Sequence, residues 1–425
     1  MTDMQKKLIL CLNAGSSSVK FALFNYEAGT PLLLEGAING ITADKQFLDF
    51  KSYAADGSTI ESIKKQQVDA PEHDTAFKYF MNRLDSQKGS KRMIDSLDDI
   101  YIACHRIVHG GANPRPLIID DSVSHELEML SDLAPLHNQR ALDIVHSCRS
   151  HLENTKNVAF FDSSFHMKIE RAVYTFPISL DVQKRHQLRK YGFHGLSYAF
   201  IASEAAAYLQ IDQSELNIIA LHLGSGASAC AIANGVSVNT SMGLTPLEGL
   251  PGATRSGSID PSLIFHYHSD SSRLSTASSK EMKLTVAEDI LNKQSGWQSI
   301  TGTTDFGIIT KRALYENDEN CKLAFDMFVN RVSMYVGQYW VALKGKATAL
   351  VFAGGIGERG AELRGAVVDA VSCLGFELDE QLNKEASKSE ETVFEITKEG
   401  ARLKILIVHT DEQKQMAKEV LSREF

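Results

Sequence analysis

Two stretches far apart in the chain repeat one pattern. Residues 12–24 read LNAGSSSVKFALF and residues 221–233 read LHLGSGASACAIA. Each leaves an apolar run, passes through G-S and small residues, and re-enters an apolar run, with Gly15 matching Gly224 and Ser16 matching Ser225. One hairpin used twice, early in each half of the chain, constrains the molecule to two related α/β domains. A loop of glycine and serine lets backbone N–H groups approach an anion, because no Cβ stands in the way. The first loop, closed by Lys20, reads equally well as a plain turn when taken alone.

The remaining runs alternate between the two periodicities, which points to α/β architecture throughout. Strands are expected at Ile100–Val108, Asn157–Phe161, Ala349–Phe352 and Leu403–Val408. Helical spacing marks Asp74–Asp85, Leu127–Leu133, Gln139–Cys148, Cys321–Leu343 and Glu412–Arg423. The serine-rich segment Ser269–Lys280 reads as a solvated insertion. At 425 residues the chain has room for two or three domains. A net charge of −9 without a basic run argues against a nucleic-acid partner. The six cysteines are dispersed, with no C-x-x-C and no zinc spacing, as expected of buried thiols in a reducing compartment. MTDMQKK leads straight into a strand and no apolar run is long enough to cross a bilayer, so a cytoplasmic location without membrane contact is expected.

Several chemistries are excluded or disfavoured by their motifs. There is no G-x-x-x-x-G-K-[ST] and no G-x-S-x-G. Gly355–Gly360 (GIGERG) fits a dinucleotide fingerprint, but it falls too near the end of the chain to be followed by a Rossmann sheet. A nucleotide can still lie against such a turn. His105 and His109, four apart, lack the partners of a zinc site. What is left is a set of polar residues closing apolar runs: Asn13, Ser16, Ser18, Lys20, Arg106, His137, Asp162, His194, His222, Arg255, Asp260 and Glu412. Ligands gather at the carboxyl ends of strands in open α/β sheets. Two arginines, several histidines and isolated carboxylates there suit phosphoryl transfer, which needs cations for the equatorial oxygens, a carboxylate for Mg²⁺ and little covalent help.

LNAGSSSVKF, HRIVHGG, APLHN, FDSSFH, YGFHGLSY, HLGSGAS, NTSMGLTPLEGLPGATRSGSIDP, FAGGIGERG and HTDE, in that order along nearly the whole chain, resemble the acetate kinase family of short-chain acyl kinases. The resemblance implies two duplicated ribonuclease H-like domains of the sugar kinase–Hsp70–actin superfamily, with a nucleotide cleft between them. Their expected spans are 1–163 plus 413–425 for the first and 164–412 for the second. It implies reversible transfer between ATP and acetate, giving acetyl phosphate and ADP, with Mg²⁺ (replaceable by Mn²⁺) and a homodimer. Propionate or butyrate kinases, or an acyl kinase with another phosphoryl donor, are the neighbouring readings. A phosphate-ester hydrolase or a nucleotide-gated binding module on the same fold is the more distant one.

Carried onto this sequence, the resemblance gives Arg106 and Arg255 the substrate carboxylate and the phosphoryl group, with His194 as a donor to that group and Asp162 positioning substrate or metal. Asn13 and Glu412 stand near Mg²⁺. Ser16, Ser18 and Lys20 complete the first phosphate loop, and His222, Gly224, Ser225 and Gly226 the second. Asp305, Phe306, Gly355, Ile356 and Arg359 fall on the nucleotide side; Val108, Leu136, Phe193 and Pro246 would wall the acyl methyl, with His137 nearby. Four positions depart from the family pattern. Ser225 stands for the usual asparagine of H-L-G-N-G, Gly307 for an arginine, Arg359 for the asparagine of G-I-G-E-N, and Ser258 for an aspartate. All but Ser258 belong to the nucleotide side.

Overall fold

The computed structural model describes residues 7–15, 17–41, 43–86, 94–130, 135–268, 270–276, 278, 284–423 and 425, without the side chains of 135–137. Of the expected features, Ser16 and part of the insertion 269–280 therefore lie outside the described residues. The chain divides into two compact units, Met1–Ser164 with Asp411–Phe425, and Phe165–Thr410.

The first unit carries strands β1 (Leu8–Ala14), β2 (Ser18–Asn25), β3 (Leu32–Asn39), β4 (Gln46–Tyr53), β5 (Thr59–Val68), β6 (Ile100–Ile107), β7 (Leu117–Ile118) and β8 (Lys156–Phe161). Their order in the sheet is β5-β4-β3-β2-β1-β6-β8-β7. Strand β1, apolar on both faces, is buried along almost its whole length, as a central strand covered on both sides must be. Helix His73–Asp85 covers one face with Phe77, Phe80, Met81 and Leu84, and Phe80 stacks on Phe21 of β2 at 3.7 Å between ring centroids.

The second unit carries β9 (Ile218–Leu223), β10 (Ala227–Ala233), β11 (Val236–Thr240), β12 (Ala349–Ala353), β13 (Val393–Glu395) and β14 (Lys404–Val408), ordered β11-β10-β9-β12-β14-β13. The duplication is visible strand by strand. In the first unit β1 pairs antiparallel with β2, β2 antiparallel with β3, and β1-β6-β8 run parallel. In the second, β9 pairs antiparallel with β10, β10 antiparallel with β11, and β9-β12-β14 run parallel. Each sheet then ends on a short antiparallel edge strand, β7 or β13. The first unit adds the meander β4-β5, which the sequence reading had left unassigned.

One element differs in kind from the expectation. GGIGER is a helix, Gly354–Arg359, entered directly from β12 rather than a turn leading to one. Gly354 makes the corner at φ 72°, and a Cβ there would stand 2.8–3.0 Å from the backbone of Leu223, so β9 can pass close by.

Candidate active site

In the first unit, register alone brings three polar residues to one edge. Leu12 faces His105, and Arg106 faces Phe160, so Asn13, Arg106 and Asp162 emerge at the carboxyl ends of adjacent parallel strands. Arg106 Nε and Nη2 donate to the two oxygens of Asp162 at 3.0 and 2.7 Å, a bidentate fork. Its Nη1 reaches Glu412 Oε2 at 2.7 Å and Asn13 Oδ1 at 3.3 Å. Asn13 Nδ2 closes the ring by donating to the same Glu412 oxygen at 2.9 Å. Glu412 opens the helix Glu412–Leu421, whose N-cap is Asp411. Burial alone would push the Arg106 guanidinium down, but Asp162 and Glu412 outweigh it and hold it above its ordinary value. Lys20 stands directly across from Asn13 on β2 and is exposed, while Gly15 N donates to the Ser18 carbonyl at 2.7 Å to close the loop. Val108, just past β6, is half-buried; Leu136 and His137 lie in helix Pro135–His151, their side chains outside the described residues.

In the second unit the cluster is built on the loop Gly224–Gly226. Arg255 lies across Gly226 so closely that a Cβ there would meet its Nη2 at 2.0 Å and His194 Nε2 at 3.6 Å. Only glycine fits. Arg255 is half-buried; loss of water around its guanidinium pushes it down to about 10, and among the described residues no carboxylate is paired with it. An arginine partly stripped of water without a counter-charge is suited to an anion that arrives from outside. His194, in the left-handed region at φ 58°, opens helix Gly195–Leu209, and its ring stacks on His222 at 4.1 Å between centroids. Phe193 and Pro246 are buried, the Phe193 carbonyl taking a hydrogen bond from His166 Nε2 at 2.9 Å.

Beside that loop, and within the same unit, lies a cavity of about 850 Å³. Its lining includes Gly224, Ser225, Asp305, Phe306, Gly355, Ile356 and Arg359 of the expected nucleotide residues, together with Gly307. Two of these do work of their own. Asp305 Oδ1 caps helix Phe306–Tyr315 by accepting from Gly307 N and Ile308 N at 2.8 and 3.2 Å. The Phe306 ring packs edge-on against Trp297 and Phe328 in the core. Thr304, Thr310, Lys311, Tyr315 and Glu362 also line the cavity and were missed from the sequence, because nothing in their local pattern separates them from an ordinary helix surface.

A model of the acetokinase family matches residues 8–418. The chain belongs to the acetokinase family. It is 46% identical over 416 residues to a protein from Emericella nidulans named probable acetate kinase, the match covering 97% of each chain. A protein from Campylobacter concisus named acetate kinase is 38% identical over 410 residues, covering 96% of each. Among solved structures, a propionate kinase from Francisella tularensis superposes with a TM-score of 0.83 at 33% identity, covering 97% of this chain and 98% of its own. An acetate kinase from Porphyromonas gingivalis gives 0.80 at 29% identity, covering 98% and 99%. Membership of the acetokinase family makes the chain a phosphotransferase with a carboxyl group as acceptor.

Side-chain hydrogen bonds also support the helix Gly354–Arg359. Arg364, wholly buried, donates to the carbonyls of Gly357 and Glu358 at 2.7 and 2.8 Å and to Asn383, satisfying the open end of helix Gly354–Arg359. Glu358 in turn accepts from His409 Nδ1 and from Thr410 N, at 3.2 and 3.3 Å. Ser258, one of the departures, accepts from Gly249 N at 3.0 Å, so its hydroxyl holds the loop that carries Arg255.

Proposed function

We propose that this chain catalyses direct, reversible phosphoryl transfer between ATP and acetate, giving acetyl phosphate and ADP. The observation that carries the reading is Arg255, half-buried without a paired carboxylate among the described residues and laid over a glycine loop beside His194. A carboxylic acid is already ionised at neutral pH, so its attack needs no general base. The barrier is repulsion between an anionic nucleophile and an anionic phosphate, which positive groups fixed in advance relieve.

Arg255 and His194 then donate to oxygens of the transferring group, and the G-S-G loop with His222 to the phosphates. Arg106 takes the substrate carboxylate, and Asp162 acts by holding its fork in plane. The oxygen donors Asn13 and Glu412 fit Mg²⁺: a single carboxylate and an amide suffice for an ion that keeps several waters and takes its other ligands from phosphates. Mn²⁺, with the same preference for oxygen ligands, could replace it. Such an ion would offset the charge building on the phosphate oxygens. A homodimer is supported by apolar side chains left exposed on the second unit, among them Phe265, Tyr267, Met334 and Val341. Cytoplasmic location is supported by six free thiols, five of them buried. Among the described residues no helix is long and apolar enough to cross a membrane.

The test is an acyl-phosphate assay with hydroxylamine trapping, run with acetate, propionate and butyrate. Acetate should give the highest kcat/KM; butyrate preferred over acetate would reassign the substrate. Val108, Leu136, Phe193 and Pro246 are proposed as acyl contacts, so Val108→Ala should move the acetate-to-butyrate ratio toward butyrate by about tenfold, one methylene being worth about 1–3 kcal/mol in such a pocket. An unchanged ratio would remove Val108 from the pocket.

Donor choice is the second expectation. Gly307 offers no side chain for stacking, Asp305 is engaged as a cap and Phe306 is turned into the core. An arginine at position 307 would add roughly 0.5–2 kcal/mol of stacking on a base. GTP should therefore serve within about tenfold of ATP, and Gly307→Arg should favour ATP further. A strong ATP preference in the natural sequence would contradict this, and activity with pyrophosphate alone would overturn the nucleotide reading.

A further inference from the structure

His194 is held from behind by two hydroxyls. Its Nδ1 lies 2.8 Å from Ser228 Oγ, and that oxygen lies 2.5 Å from the Tyr198 hydroxyl. Ser228 and Tyr198 are wholly buried. His222 repeats the arrangement, with Nδ1 at 2.7 Å from Ser197 Oγ, another wholly buried serine. The stacked rings thus turn their Nδ1 edges to the interior and their Nε2 edges to the loop. A Cβ on Gly226 would stand 3.6 Å from His194 Nε2, and one on Gly224 4.0 Å from His222 Nε2.

The hydroxyls decide which nitrogen carries the proton. A phenol is a stronger donor than an aliphatic alcohol, which favours Tyr198 donating to Ser228 Oγ and leaves the proton of Ser228 available to His194 Nδ1. An Nδ1 that accepts belongs to the tautomer with its proton on Nε2. The same unit holds a fixed instance of this pattern. His166 Nε2 can only donate to the Phe193 carbonyl, and burial keeps that imidazole neutral, pushed down to about 4. Its Nδ1 must therefore accept from Ser237 Oγ at 2.7 Å.

We propose that Tyr198 and Ser228 are positioning residues that hold His194 with its proton on Nε2, aimed at an oxygen of the transferring phosphoryl group, and that Ser197 does the same for His222. The proposal rests on the reading of His194 as a hydrogen-bond donor to the transferring phosphoryl group. Ser228 lies at a wholly buried position of β10 and joins the Tyr198 hydroxyl to His194 Nδ1.

The test combines a spectrum and a rate on the full chain. With ¹⁵N-labelled histidine, His194 should show the Nε2–H tautomer, and Ser228→Ala should convert it to a mixture. The same variant should lose about ten- to a hundredfold in kcat with KM for acetate and ATP within about threefold, because the donor is kept but no longer oriented. Ser228→Thr should recover most of the rate. Tyr198→Phe, which keeps the ring packing, should give a smaller loss in the same direction. An Nδ1–H tautomer in the natural protein, or an undiminished kcat in folded Ser228→Ala, overturns the proposal. The spectrum needs no turnover, so a wrong tautomer is separable from a wrong function. Full turnover in His194→Ala would remove the functional reading and the purpose of the tautomer with it.

Discussion

Arg255→Ala is expected to lower turnover by on the order of 10²- to 10³-fold while leaving stability within about 1 kcal/mol of the parent. The two halves of that result have one cause. Arg255 is half-buried with no carboxylate paired to it among the described residues, so the fold carries a partly desolvated, uncompensated cation until an anion binds. Removing it deletes a donor to the transferring group but relieves a desolvated charge. Lysine should not substitute, since it lacks the planar fork. Steady-state kinetics and urea unfolding read the two effects separately. Near-normal turnover in the folded variant would take Arg255 out of the mechanism.

Arg106→Ala should lose turnover on a comparable scale and also lose stability, by about 3–5 kcal/mol. Here the guanidinium is matched: Asp162, only 1% exposed, gives both oxygens to it, and Glu412 gives a third. Truncation strands the Asp162 charge in the interior. The double variant Arg106→Ala with Asp162→Asn should therefore regain most of the stability and none of the rate. If the single variant were as stable as the parent, the Arg106–Asp162 pair would not be the structural anchor that its geometry indicates. The contrast with Arg255 makes the pair of experiments informative: the same substitution should leave stability nearly unchanged at one site and lower it by about 3–5 kcal/mol at the other.

The duplicated hairpin was legible in the chain because both loops follow apolar runs and share G-S. That likeness extends to six strands with the same order and directions in each unit. Strand β5 was not legible, since TIESIKKQQV is largely exposed and carries no alternation of apolar residues. Strand β4 does alternate, with Leu48, Phe50 and Ser52 buried in turn, but polar Gln46 and Ser52 among them blur the signal. Asn13, Arg106, Asp162 and Glu412 were each readable as polar residues at apolar run ends. Their mutual hydrogen bonds were not: the resemblance already implied that the last helix belongs with the first unit, but strand register, which sets the side-chain partners, is a tertiary fact. Ser197, Ser228 and Tyr198 escaped notice for the opposite reason. Each sits inside an apolar stretch, where a hydroxyl looks like an incidental core residue until the imidazole it meets is known.

The central claim is that the phosphoryl group passes from nucleotide to carboxylate directly. It is tested by incubating the enzyme with γ-³²P-labelled ATP, Mg²⁺ and acetate, then assaying label and acyl product together. The account predicts label in acetyl phosphate in one-to-one yield with ADP, acetohydroxamate on trapping, and no ADP formed when acetate is left out. ADP and labelled inorganic phosphate released at the same rate with or without acetate, and no trapped hydroxamate, would show a hydrolase and contradict it.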